Sequence, residues 1–139
     1  MNFFFDRCIA IRLARMLAAY DSVHKVTHLD DDARFTKDTE DVDFIAILAK
    51  DNPKPVLVTA DVAMRRKPVE RQELRSSGLS IVFLRARFNS QGFHDQAVKL
   101  LKIWPQITLT AERATEPTVF EITPSARKVD RLCLTRDLS

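Results

Sequence analysis

The stretch Val56-Leu57-Val58-Thr59-Ala60-Asp61 constrains this chain more than any other. Its apolar, β-branched start, entered through Asn52-Pro53-Lys54-Pro55, predicts a short strand buried on both faces, as in a parallel sheet. In open α/β sheets the chemistry sits just beyond the carboxyl ends of such strands. Asp61 lies there, with Thr59 one period-2 step earlier on the same strand face. Asn2-Phe3-Phe4-Phe5-Asp6 has the same shape, an apolar strand closed by aspartate. Two strands that each bring a carboxylate to one sheet edge make a candidate cation site.

The rest of the chain alternates between strand and helix patterns. From about Cys8 to Tyr20, the residues Ile9, Leu13, Met16, Leu17 and Tyr20 share one helical stripe. Asp21-Ser22 breaks it, and Val23–Leu29 alternates as a second strand. Residues 30–41 form an acidic loop running into a helix that Thr39 or Asp38 can cap, with Phe44, Ile45, Leu48 and Ala49 on its buried side. Pro68 opens a further helix to about Ser77, and Gly78 ends it. Leu79–Leu84 is another apolar strand, followed by a helix over about Phe93–Ile103 that stops at Pro105. Ile107–Leu109 and Thr118–Ile122 read as strands. The order implies an α/β fold, a mostly parallel sheet with helices on both faces. Residues 1–123 form one domain, and 124–139 a basic C-terminal tail, in part helical or disordered.

Composition narrows the functions. With two glycines, Gly78 and Gly92, the chain has neither a P-loop nor a dinucleotide fingerprint, since both need glycine for backbone to approach phosphate. No apolar run approaches the roughly 18 residues a membrane span requires, which makes cytoplasm the default location. Cys8 and Cys133 lie far apart and read as reduced structural thiols. His24 and His28 share parity and read as exposed or edge residues rather than ligands, with no third nitrogen or sulfur donor nearby in sequence.

Charge is unevenly spread. Asp30, Asp31, Asp32, Asp38, Glu40, Asp41 and Asp43 crowd residues 30–43, while Arg65, Arg66, Lys67, Arg71, Arg75, Arg85 and Arg87 crowd residues 65–87. A metal-dependent enzyme acting on a polyanion would use such a contrast, and a solvated surface can also look like this. Hard cations such as Mg²⁺ or Mn²⁺ take oxygen ligands and keep several waters, so a few aspartates suffice. Asp6, Asp41 and Asp61 are the candidates. A response-regulator receiver also collects acids at strand ends, but Asp6-Arg7 and Leu84-Arg85 lack its paired acids and late lysine.

Phe5-Asp6-Arg7-Cys8-Ile9-Ala10, then Asp41-Val42-Asp43-Phe44-Ile45, then Val58-Thr59-Ala60-Asp61 resembles the PIN-like nucleases. Met64-Arg65-Arg66-Lys67-Pro68-Val69-Glu70-Arg71 and Ile103-Trp104-Pro105-Gln106-Ile107 look like the VapC-type toxin branch of bacterial type II toxin–antitoxin systems. The resemblance runs over about residues 3–122. It implies a PIN-like three-layer α/β/α sandwich, with Asp6, Asp41 and Asp61 holding Mg²⁺ or Mn²⁺ for RNA cleavage and Thr59 supporting them. It also implies RNA contact at Arg65, Arg66 and Lys67, a cognate antitoxin protein as partner, and a homodimer. Many relatives place one more acid soon after the Thr-x-Asp aspartate. Here Val62 and Ala63 stand there, and Glu70 is the nearest replacement.

Overall fold

In the computed structural model, which describes residues 1–61, 66–85, 88–123 and 128–132, the strand patterns assemble into one sheet. Among the described residues its strands are β1 (Asn2–Phe5), β2 (Lys25–His28), β3 (Val56–Thr59), β4 (Ile81–Leu84), β5 (Val119–Thr123) and β6 (Lys128–Leu132). They lie in the order β2-β1-β3-β4-β5-β6. The first five run parallel, and β6 is antiparallel to β5. The connections carry α1 (Ile11–Tyr20), α2 (Asp41–Leu48), α3 (Pro68–Ser77) and α4 (Phe93–Arg113).

Strand alternation divides the core in two. Phe3, Phe5, Val56 and Val58 face Leu13 and Leu17 of α1 and Ile103, Trp104 and Ile107 of α4. Phe4, Leu57, Ile81 and Phe83 face Phe44, Ile45 and Leu48 of α2 and Leu74 of α3. The sheet is therefore the middle layer of an α/β/α sandwich, and its central strands β1, β3 and β4 are almost wholly apolar because both faces are covered. The chain leaves β1 toward β2 on one side and later returns to β3 on the other. The edge between β1 and β3 is thus a topological switch point, where α/β sheets open a crevice.

Several sequence expectations change. The second strand covers Lys25–His28 instead of Val23–Leu29, because Asp21 Oδ1 accepts from the N–H groups of Val23 and His24 (2.8 Å each) and holds that segment in a turn. His28 is not exposed: it is buried, its Nε2 donating to Ile9 O (2.6 Å) while its Nδ1 accepts from Asp30 N–H (3.0 Å). Helix α1 starts at Ile11, with Ala10 as its N-cap residue. Helix α2 is entered from Glu40 without a side-chain cap, Thr39 Oγ1 instead accepting from Thr36 N–H (2.8 Å).

The largest change concerns Pro105. Helix α4 runs through it to Arg113, so Ile107–Leu109 is helix and not strand. Proline removes one backbone donor, but Ile103, Trp104, Ile107 and Ala111 keep burying the same stripe beyond it, and that burial outweighs the missing bond. The tail also differs. Lys128–Leu132, expected to be helical or disordered, pairs with β5 and adds a strand to the sheet.

Candidate active site

Register brings the site together. Phe5 pairs with Val58, and Asp6 N–H continues the ladder to Val58 O (3.3 Å), so Asp6 emerges beside Thr59, the last residue of β3. Thr59 Oγ1 donates to Asp6 Oδ2 in a short hydrogen bond and accepts from Asp61 N–H (3.1 Å). One buried hydroxyl thus links the carboxylate at the end of β1 to the backbone of the residue expected to act at the end of β3. Asp6 is 3 % exposed and does not cap α1, since no side chain caps that helix.

Cys8, taken from sequence for a structural thiol, belongs to this cluster. Its N–H (3.2 Å) and Sγ (2.6 Å) both donate to Asp6 Oδ1, and its sulfur accepts from Ala60 N–H (3.2 Å). The Asp6-Arg7-Cys8 spacing after a strand allows the local contact to Asp6, but nothing in the sequence signals the contact to Ala60. Cys133 lies outside the described residues.

The acids feel one another. Burial pushes the Asp6 pKa up to about 6; the hydrogen bonds from Cys8 and Thr59 oppose this, and the charges of Asp41 and Asp61 add to it. Asp41, half-buried at the first position of α2, is raised by burial and then by Asp61, against Lys67 and Arg7. Glu70, in the first turn of α3, is raised by burial, by Asp41 and by Asp61, against Lys67. The three predicted aspartates and Glu70 therefore lie near enough to one another to couple electrostatically, and burial strengthens their mutual repulsion. Perturbed carboxylates at a switch point make this the candidate functional site.

The basic residues are less concentrated. Arg65 lies outside the described residues, Arg66 is exposed, and the exposed Lys67 pairs loosely with Glu70 Oε1 (3.8 Å). Arg7 is committed elsewhere, to Asp30 Oδ1 (3.1 Å) and to the carbonyls of Thr36 (2.7 Å) and Lys37 (3.0 Å).

The residues suit a hard divalent cation in chemistry. All four donors are carboxylates, and Glu70 Oε2 is buried without a hydrogen-bond partner among the described residues. Among those residues, no three acidic, histidine or cysteine side chains stand close enough to grip a metal together. The fit is to an ion held by one or two carboxylates with water completing its shell, as Mg²⁺ prefers.

This arrangement, a parallel sheet with an acidic crevice at its switch point, defines the class of protein. A family model described as a PIN like domain matches residues 1–86, more than half of the chain and the whole run from Asp6 to Glu70. The chain belongs to the PIN-like domain family. Domains of that family are generally nucleases, and the nucleases usually use divalent metal ions. No curated protein and no solved structure matches the chain. Among the described residues no helix is long and apolar enough to cross a membrane.

Proposed function

We propose that the chain is a metal-dependent endoribonuclease that hydrolyses RNA phosphodiester bonds, and that it is the toxin of a type II toxin–antitoxin pair. The observation that carries this reading is the meeting of Asp6 and Asp61 at the switch point through Thr59, with Asp41 and Glu70 electrostatically coupled to them. Asp6, Asp41 and Asp61 would hold Mg²⁺ or Mn²⁺, one or two of them directly and the rest through its bound waters. When bound, that ion supplies charge neutralisation for the phosphate and a lower pKa for a nearby water. Thr59 keeps Asp6 ionised and oriented by donating to Oδ2. Glu70 Oε2 is an acceptor for a water turned toward the phosphate. Arg65, Arg66 and Lys67, on the segment after β3, attract the RNA backbone. A cognate antitoxin covers the crevice, the protein pairs as a homodimer, and it works in the cytoplasm.

Asp61 is the centre of this reading and its sharpest test. Asp61→Asn removes a charge but keeps shape, so Mn²⁺-dependent cleavage of RNA should fall by roughly 10²-fold or more while the circular dichroism spectrum and Tm hold. Cleavage at the wild-type rate by the folded variant would reject the assignment. Growth arrest on expression, relieved by the product of the neighbouring gene, tests the toxin role.

A second reading rests on the separation of the acids: a PIN-like domain that binds nucleic acid or a protein partner without turnover. Calorimetric titration with Mn²⁺ separates the two, because a binding module takes up no metal at this crevice.

A further inference from the structure

We infer that Cys8 is a positioning residue, whose thiol fastens the loop after β1 to the loop after β3 so that Asp6 and Asp61 face one cation; the inference rests on the metal reading above. The direction of each hydrogen bond follows from what the partners can do. An ionised carboxylate only accepts, so the thiol must donate to Asp6 Oδ1 (2.6 Å). A backbone N–H only donates, so the sulfur must accept from Ala60 (3.2 Å). Cys8 Sγ also lies 3.5 Å from Thr59 Oγ1. The two side chains work from opposite strands. Thr59 reaches from β3 to Asp6 and receives Asp61 N–H, while Cys8 reaches from beyond β1 to the backbone immediately before Asp61.

A sulfur that donates to Asp6 Oδ1 and accepts from Ala60 N–H has both contacts committed to the protein and is not itself a metal ligand. Cys8 therefore acts through Asp6. Groups that hold a liganding carboxylate in place commonly govern metal affinity by 10- to 100-fold.

Cys8 also packs against the core, so the competing role is simple volume filling. Two substitutions separate the roles in opposite directions. Cys8→Val keeps the volume and loses both hydrogen bonds, whereas Cys8→Ser keeps a donor and acceptor and loses volume. Each variant and the wild type are titrated with Mn²⁺ by calorimetry, and exchange of the Ala60 amide is followed without metal. Positioning predicts that Cys8→Val raises the Mn²⁺ Kd about tenfold or more and speeds Ala60 exchange, while Cys8→Ser stays within about threefold of wild type in Kd. Volume filling predicts the reverse order in stability and an unchanged Kd in both variants, and that result overturns the inference. A wild-type protein that takes up no Mn²⁺ removes the metal reading and this inference together.

Discussion

A buried carboxylate without a cation is a liability, and Asp6 shows its size. Its folded pKa of about 6 against an ordinary value of 3.8 means that the folded protein holds this proton to higher pH than the unfolded chain. Folding therefore takes up a proton between about pH 4 and 6. The stability this group contributes is complete below about pH 4 and is lost as the pH rises through 6, a loss of about 3 kcal/mol at 1.36 kcal/mol per unit. Asp41 and Glu70, also raised, act in the same sense. Asp31 and Asp32, held below the usual carboxylate range chiefly by hydrogen bonds from Arg15 and Arg34, act in the opposite sense and lose their contribution only as pH falls through the acid range. Denaturation of metal-free protein should show Tm falling between about pH 4.5 and 6.5, and Asp6→Asn should flatten that slope and raise Tm at pH 7. If Asp6 holds Mn²⁺ as proposed, the ion takes the proton's place, and its stabilising effect should be larger at pH 7 than at pH 5. A Tm that climbs steadily with pH in the metal-free protein contradicts the assignment of Asp6 as a buried, repelled carboxylate.

At the level of elements, the two strands that build the site and the helix from Pro68 to Ser77 are legible in the sequence, whereas the bounds of the second strand and the course of the last helix are not. Val56–Thr59 and Asn2–Phe5 announce themselves because a strand covered on both faces has no polar positions to blur its pattern. From them Asp6, Thr59 and Asp61 follow. Cys8 could not be read, since its role depends on the Phe5–Val58 register that lays Ala60 over the loop after β1. Glu70 could be suspected as a replacement acid, but its burial beside Asp41 and Asp61 comes from the approach of α3. At Pro105 local preference points to a helix stop, and the burial of Ile107 and Ala111 beyond it overrides that preference. That correction makes a prediction. Pro105→Ala restores a backbone donor toward Leu101 and lowers the helix cost, which should raise stability by about 1–3 kcal/mol. Ile107→Ala, which opens a cavity under the same helix, should cost about 2–5 kcal/mol. Urea denaturation of both variants measures this. A destabilised Pro105→Ala means that the bend at proline is itself what seats Ile107 against the sheet.

Across the whole molecule, the acidic and basic segments of the sequence resolve into two different things. Asp30, Asp31 and Asp32 are matched by Arg7, Arg15 and Arg34, and Arg34 also bridges to Asp51, so the first part of the acidic run is an ion-paired frame for the loop before α2. The acids at the strand ends belong to the crevice instead. On the proposed reading, an RNA phosphate approaching Asp6, Asp41, Asp61 and Glu70 would meet repulsion that a divalent cation and the bases after β3 would have to offset together. Arg66 and Lys67 contribute differently. Lys67 pairs with Glu70 and lowers the pKa of Asp41, so removing it alters the crevice as well as RNA affinity. Arg66 is exposed, so on the proposed reading it would act on RNA by charge alone. For single strands the slope of log K against log salt becomes shallower by about 0.7 for each phosphate that the protein no longer neutralises. Arg66→Ala should reduce the slope by about that amount, weaken every RNA similarly, and leave the Mn²⁺ Kd unchanged. Lys67→Ala should change both the slope and the Mn²⁺ Kd. Fluorescence anisotropy over a range of salt, in an Asp61→Asn background that the proposed function makes unable to cleave, makes the comparison. Equal slopes for the background and its Arg66→Ala derivative would move the RNA track off the segment after β3 and onto another face of the sandwich.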